Sequence, residues 1–145
     1  MQAYILDLQN RPGTWADVAE KLAKKDVNIL GFGITADGHG YVGLVGSDDV
    51  TTRETLDEIK CTYRDVQLLP VALENVPGTS AKLARTLANA GINIEFFAPT
   101  GDTGGRTIFA LGVDRPEEAR RVLGTQVTSE YGNLWPKALA GAMSR

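Results

Sequence analysis

Apolar residues recur in this chain at two different spacings, and the spacings predict an alternation of strands and helices. Short runs rich in Ile, Leu, Val and Tyr predict strands at residues 3–8 and 69–73. After the first strand, apolar side chains fall at i, i+3, i+4, i+7 and i+8, which predicts an amphipathic helix with Trp15, Val18, Ala19, Leu22 and Ala23 on its inner face. A matching stripe after the second strand predicts a helix that ends near Gly91 and packs through Leu83, Ala84, Leu87 and Ala88.

The elements that follow each helix also come in one order. Further strands are predicted at 27–34, 41–45 and 63–68, and again at 92–98 and 107–113, with a short or edge strand at 124–129. Polar starts at Asp48 and Asp114 predict helices whose inward residues are Leu56, Ile59, Ala119, Val122 and Leu123. The order βαββαβ, used twice, predicts an α+β fold of two ferredoxin-like modules, each an antiparallel sheet with its helices on one face.

An internal repeat supports the duplication. Asn10-Arg-Pro-Gly-Thr14 recurs as Asn75-Val-Pro-Gly-Thr79, and ten identities extend in register at an offset of 65 residues as far as Ile29 and Ile94. The second halves align only after a one-residue shift. We therefore expect one module at 1–68, a second at 69–130 and a tail at 131–145. The tail is predicted to cover a sheet face or to mediate dimerisation through Leu134, Trp135, Ala138, Leu139 and Ala142.

Composition and charge exclude several classes of function. The 145 residues are 43% hydrophobic and 23% charged, which is typical of a folded globular protein, and the net charge of -3 without a basic block argues against nucleic-acid binding. The single Cys61 lacks the paired spacing of a disulfide framework or a zinc site, which indicates a reducing, cytoplasmic location. Neither a signal peptide nor a membrane-spanning run is predicted, and we expect no metal and no cofactor.

The repeated pattern, Asn-x-Pro-Gly-x followed by an amphipathic helix and a hydrophobic-Asn-Ile segment, resembles the ACT domain, and the resemblance covers about residues 3–123. It implies a regulatory protein in which two modules lie side by side and bind an amino-acid effector at their interface. The family's ligand-binding asparagines correspond to Asn10, Asn28, Asn75 and Asn93. The resemblance also implies a small-molecule effector as partner, with a homodimer and an enzyme or regulator target as further partners.

The residues themselves are suited to such a ligand. A helix start attracts anions, so the backbone N–H groups near Gly13-Thr14 and Gly78-Thr79 are candidate carboxylate donors. An Asn amide both accepts from an ammonium and donates to a carboxylate, so two asparagines near one helix start would suit a zwitterion. Structural roles compete with these, because Pro12-Gly13 and Pro77-Gly78 also form turns, Asn caps helices, and Ile29 and Ile94 are candidates for the core.

The two copies differ at the second residue after the motif glycine, where the family usually has an aliphatic residue. The first copy has Trp15 and the second has Ser80. Trp15 is predicted either to roof a pocket or to fill space between helices, and Ser80 either to donate a hydroxyl or to support the helix start. We therefore expect one competent site and one altered site.

Catalytic chemistry is not indicated by the sequence. His39 lies between two glycines without a recognisable partner, so a turn is the simpler interpretation. The glycine-rich run at 101–106 lacks the Lys-Ser/Thr ending of a phosphate-binding loop and predicts a hairpin turn. The acidic pairs Asp48-Asp49 and Glu117-Glu118 stand at helix starts, where carboxylates favour the helix dipole.

Three hypotheses of function remain at this point. The first is a non-catalytic sensor that binds an amino acid. The second is a protein-interaction module with vestigial pockets, whose tail docks a partner such as an enzyme. The third is a small enzyme or nucleic-acid binder on the same fold; RNA-binding versions carry exposed aromatics and a basic sheet face, which this sequence lacks.

Overall fold

A computed structural model describes residues 1–132, 134 and 135. The contacts divide these residues into two compact units, one formed by Met1–Asp65 with Trp135 and the other by residues 66–132 with Leu134. The boundary falls three residues before the predicted start of the second module. The predicted βαββαβ order is confirmed, with the last strand of the second unit reduced to a single bridge.

The first unit is a four-stranded antiparallel sheet with two helices. Its elements are β1 (Gln2–Gln9), α1 (Thr14–Ala23), β2 (Ile29–Ala36), β3 (His39–Gly46), α2 (Asp49–Glu58) and the beginning of β4 (Thr62–Glu74). The strand order is β2-β3-β1-β4, with Tyr4 opposite Leu44 and Gly31 also opposite Leu44. The side chain of Asp48 accepts a hydrogen bond from the Thr51 N–H at 2.6 Å and so caps α2.

The second unit repeats this arrangement with fewer strands. It contains the remainder of β4, α3 (Thr79–Asn89), β5 (Ile94–Thr103), β6 (Arg106–Val113), α4 (Pro116–Leu123) and a 3-10 turn at Gly124–Gln126. The strand order is β4-β6-β5. The predicted short fourth strand is reduced to one bridge between Val127 and Val71, next to a bond from the Thr128 N–H to the Pro70 carbonyl at 2.8 Å.

Several expectations from the sequence need correction. The strands predicted separately at 63–68 and 69–73 form one continuous strand, β4, from Thr62 to Glu74. Val122, predicted to point inward, is 40% exposed, since α4 buries Ala119 and Leu123. Ala23 and Ala88, predicted on the inner helix faces, are also exposed, because the buried stripes end at Leu22 and Leu87.

The core of each unit lies between the helices and one face of the sheet. In the first unit it is formed by Tyr4, Leu6, Val18, Leu22, Val27, Leu44 and Leu56. In the second it is formed by Leu69, Val71, Leu73, Leu83, Leu87, Ile92, Leu111, Val113, Ala119 and Leu123. Ile29 and Ile94 pack half-buried against these clusters, so both contribute to the core.

One exchange of side-chain volume distinguishes the two cores. Gly46 on β3 faces Thr52 on α2, and a Cβ atom on Gly46 would lie 2.0 Å from the Thr52 hydroxyl oxygen. The register places Val113 opposite Ile94 as Gly46 is opposite Ile29, and the α4 residue equivalent to Thr52, four residues after the N-cap, is the buried Ala119. The first unit thus combines a small strand residue, Gly46, with a larger helix residue, Thr52. The second unit has the larger residue, Val113, on the strand and the smaller one, Ala119, on the helix.

The tail is described only in its first part. The Tyr131 hydroxyl donates to the Leu68 carbonyl at 2.7 Å, and a Cβ atom on Gly132 would contact Gly101 and Ile108. This part of the tail therefore packs on the second unit. Ala138, Leu139 and Ala142 lie outside the described residues.

None of the helices among the described residues has the length and apolar character needed to cross a membrane.

Candidate functional site

The loop that begins each helix has the same geometry in both units. Gly13 has φ 94° and Gly78 has φ 96°, in the left-handed region where a residue with a Cβ atom is strained. The Thr14 hydroxyl donates to the Gln9 carbonyl at 2.9 Å, and the Thr79 hydroxyl donates to the Glu74 carbonyl at 2.9 Å. The repeated Pro-Gly-Thr motif therefore encodes one loop conformation, with glycine required by the backbone and threonine closing the loop.

The start of each helix lacks a side-chain cap. Gly13 and Gly78 occupy the N-cap positions and offer no side-chain acceptor, and the Thr14 and Thr79 N–H groups reach the nearest carbonyls only at 3.5 Å. The Thr14 and Thr79 N–H groups are therefore only weakly bonded, and the positive end of each helix dipole lies at the loop. This is the arrangement that we expected to receive a carboxylate.

The predicted site residues are mostly accessible. Those that are exposed are Asn10, Pro12, Gly13, Trp15, Asn28, Asn75, Pro77, Gly78, Ser80 and Asn93, and those that are half-buried are Thr14, Ile29, Thr79 and Ile94. In the first unit, Asn10, Gly13, Thr14 and Trp15 line one pocket of about 390 Å³ between the loop and the β2–β3 hairpin. Four of the fourteen site residues predicted from the sequence therefore line a single cavity.

The two asparagines of one unit are not brought together. The Asn10 N–H donates to the Gly38 carbonyl at the β2–β3 turn, whereas Asn28 precedes the first residue of β2. The eight residues of β2 separate these ends by roughly 20 Å or more at about 3.3 Å per residue. The idea of two asparagines beside one helix start is therefore wrong within a unit, because no amino-acid-sized ligand spans that distance.

Asn28 and Asn93 have matching local contacts. The Asn28 N–H donates to the Ser47 hydroxyl at 2.9 Å, and the Asn93 N–H donates to the Asp114 carboxylate at 2.9 Å. The Asn28 side-chain oxygen accepts from the Ile29 N–H at 3.0 Å. These bonds fix the backbone where β2 and β5 begin.

A pair of equivalent pockets, one in each unit, is lined in part by the motif threonines Thr14 and Thr79. In the first unit the pocket is about 340 Å³ and is lined by β1, α1 and residues 59–62; in the second it is about 290 Å³ and is lined by β4, α3, Arg106 and residues 125–126. At equivalent helix positions the first has Asp17 and the second has Lys82. The two pockets therefore offer opposite charge at this position to any ligand.

Trp15 does not lie between helices. A Cβ atom on Gly31 would be 3.3 Å from the Trp15 indole, so the ring packs over β2, while 37% of the residue stays exposed at the edge of the 390 Å³ pocket. Trp15 therefore both packs against a strand and forms a wall of the pocket. Ser80, at the equivalent position of α3, is exposed.

Several lining residues were not predicted from the sequence. Arg11 and Tyr41 border the pocket, and Gly33 and Gly40 lie along its strand side. The signal for the glycines was present in Gly31-Phe-Gly33 and Gly38-His-Gly40, because glycine within a strand often marks a place where another group approaches the backbone closely.

The other candidate groups have local structural roles. His39 is the first residue of β3 rather than part of the turn, and its Nδ1 lies 2.7 Å from Asp7 Oδ1, a partner that the sequence did not indicate. Asp49 accepts from the Gln2 N–H at 3.2 Å. The predicted hairpin at 101–106 is confirmed, with Thr103 paired to Arg106.

Comparison with known structures identifies similar folds. Protein BT0572 from Bacteroides thetaiotaomicron matches with a TM-score of 0.71 and 20% sequence identity, over 87% of this chain and 88% of that one. The ligand-free regulatory subunit of aspartate kinase from Thermus thermophilus matches with a TM-score of 0.59 and 17% identity, over 86% and 91%. The chain has an ACT-like, ferredoxin-type fold. The regulatory subunit of aspartate kinase from Thermus flavus also matches, with a TM-score of 0.55 and 21% identity over 84% and 86%. No protein-family model and no curated protein matches the sequence.

Proposed function

We propose that this protein is a non-catalytic regulator that binds a small amino acid at the motif of its ACT-like modules. The observation that carries the proposal is the 390 Å³ pocket in which Asn10 lies beside the uncapped start of α1. The N–H groups of that helix start suit a carboxylate, and the Asn10 amide suits an ammonium or a carboxylate.

The comparisons support a regulatory role without assigning a ligand or a target. Two of the similar structures are regulatory subunits of aspartate kinase, and they match along most of their length. Regulation by such a chain would work by linkage: a ligand that binds one conformation more tightly than another stabilises that conformation. The partner that reads the change is proposed to be another protein.

A thermal-shift screen against the common amino acids tests the proposal. At a ligand concentration of about 100 times the Kd, we expect a stabilisation of about 2.7 kcal/mol. Asn10→Ala is expected to abolish the shift if the first unit carries the site, and Asn75→Ala if the second does. Asn89→Ala, an exposed asparagine at the end of α3, is the matched control.

Cooperative melting with no shift for any amino acid would contradict the proposal. That result would favour the protein-interaction hypothesis, in which the pockets are vestigial.

A further inference from the structure

The floor of the first-unit pocket contains two glycines, Gly33 and Gly40. A Cβ atom on Gly33 would meet its nearest neighbours at 3.5 and 3.6 Å, and one on Gly40 would meet Leu8 at 3.8 Å, which are ordinary contacts. No side chain therefore presses on either glycine, in contrast to Gly31, which the Trp15 indole covers at 3.3 Å. Beyond the indole, Gly33 and Gly40 leave a strip of backbone without side chains, flanked by Leu8, Thr35 and Val42.

The register identifies the same strip in the second unit. Gly31 faces Leu44, and Phe97 faces Leu111; Gly33 faces Val42, and Pro99 faces Phe109. The equivalence shifts by one residue relative to the sequence repeat because β5 contains an irregularity between Ile94 and Phe96. The second unit thus has large side chains where the first has glycine.

Those side chains form an aromatic stack. The rings of Phe97 and Phe109 lie with centroids 4.5 Å apart and planes inclined by 6°. The matching helix position is Ser80, whereas the first unit has Trp15 above Gly31. In the second unit the protein's own ring occupies this strip, and in the first the strip is left open beside an indole.

Charge also distinguishes the two strips. Arg11 lines the pocket of the first unit together with neutral residues only, and no Asp or Glu borders it. Within the described part of the chain, the Arg11 guanidinium hydrogen-bonds to the uncharged amide oxygen of Gln9 at 3.0 Å, which leaves its charge available to an anion. The corresponding residue of the second copy is Val76.

We propose that the first-unit pocket selects a carboxylic acid bearing a planar aromatic ring, and that the second unit has no equivalent site. The ring lies on the Gly33–Gly40 floor against Trp15, as Phe97 lies against Phe109, and the carboxylate pairs with Arg11. This rests on the proposed function when the ligand is an aromatic amino acid; an aromatic acid without an amino group satisfies the same contacts.

Trp15 provides a direct reporter, because the chain contains two tryptophans and Trp135→Phe leaves Trp15 alone. In this background we would titrate phenylalanine, phenylacetate, phenethylamine and leucine, following indole fluorescence and confirming each Kd by calorimetry. Phenylalanine or phenylacetate is expected to bind, and phenethylamine, which lacks the carboxylate, about tenfold or more weakly. Leucine is also expected to bind more weakly than phenylalanine.

Two variants place the site. Arg11→Val copies the second module and is expected to weaken binding of the acid about tenfold or more. Gly33→Ala raises the floor while making only ordinary contacts, so its melting temperature should stay near that of the parent while affinity falls. Val76→Ala, in the second copy, is the matched control and should leave the Kd unchanged.

The outcomes separate this proposal from the general one. Binding of aliphatic amino acids with equal or greater affinity overturns the aromatic selectivity and leaves the proposed function intact. Binding of phenylacetate but of no amino acid supports the aromatic site and overturns the amino-acid effector. Unchanged affinity in Arg11→Val and Gly33→Ala overturns the site, and no binding of any compound overturns both proposals.

Discussion

The motif loops of the two units have the same backbone conformation, but the side chains that cover the second strand of each unit differ. Gly13 and Gly78 have nearly the same φ, and Thr14 and Thr79 make the same bond across the loop. The aromatic ring over the second strand, however, comes from the helix in one unit and from the strand in the other. Duplication has therefore kept what the chain needs in order to fold and has varied what a ligand would contact.

The largest expected effects come from the buried leucines of α1 and α3, which test whether the two cores are equivalent. Leu22 and Leu87 are both fully buried at equivalent helix positions, so Leu→Ala at either should destabilise the protein by about 2–5 kcal/mol. Urea denaturation measures both. Glu20→Ala and Arg85→Ala, exposed on the same helices, should each change stability by less than about 0.5 kcal/mol. A cost at Leu87 below half of that at Leu22 would show that the cores are not equivalent.

The exchange of volume between Gly46 and Thr52 should appear as strong coupling. Gly46→Val copies the second unit but places a Cβ atom against the Thr52 hydroxyl, so we expect it to cost about 1–3 kcal/mol. Adding Thr52→Ala, which recreates the Val113–Ala119 pair, should recover most of that loss. A double-mutant cycle measures the coupling. Additive effects would mean that the two residues do not constrain each other.

Substitution of either motif glycine, Gly13 or Gly78, should destabilise the protein by a similar amount. Neither Gly13 nor Gly78 has an atom within 4 Å of a built Cβ, so Gly→Ala at each should cost only the backbone strain of positive φ, about 1–2 kcal/mol. Asn tolerates this region better, and Gly→Asn should cost less at both positions. Chemical denaturation of the four variants checks the prediction, and unequal costs would show that the loops differ in rigidity.

The smallest effect should distinguish the caps of α2 and α4. Hydrogen bonds from Thr51 hold the pKa of Asp48 below its ordinary value of 3.8, so the folded state favours the carboxylate. That contribution is complete above the ordinary pKa and is lost as the pH falls through the lowered one. Asp48→Ala should cost about 1 kcal/mol at neutral pH.

Asp48→Asn keeps the cap without the titration, so the stability difference between it and the parent should change only below about pH 4. The α4 cap, Arg115, has no side-chain acceptor for the backbone N–H groups; its guanidinium instead pairs with Glu118 at 2.8 Å and donates to the Ala90 carbonyl at 3.0 Å. Arg115→Ala therefore removes these two contacts and not a carboxylate cap. A flat difference for Asp48→Asn would contradict the role given to the carboxylate.

The duplication and the order of elements could be predicted because they depend on local signals. Repeated Pro-Gly-Thr motifs, helical stripes and turn glycines each act within a few residues. The continuity of β4 could not be predicted, because Leu68 and Leu69 are adjacent and the internal repeat assigns one half of the strand to each module. The separation of Asn10 from Asn28 required the strand register, which joins residues distant in sequence.

The candidate pocket was predicted only in part. The motif loop and Trp15 were found from the repeat, but their position over Gly31 depends on packing across the sheet. The pocket floor at Gly33 and Gly40 was not predicted, because glycine has no side chain that would indicate a binding role. If the two copies are aligned at the constant sequence offset, Gly31 corresponds to Phe96. The strand register shows that its structural equivalent is Phe97.

The irregularities in β5 have a consequence for which side chains reach the inner face of the sheet. The pairing of β5 with β6 shifts between Ile94 and Phe96 and again between Pro99 and Gly101. An inserted residue within a strand normally turns all later side chains to the opposite face, but a bulge absorbs the insertion and spares the rest of the sheet. The first shift sets Phe97 opposite Leu111, a residue of the core, and the pairing from Phe96 to Pro99 stays regular.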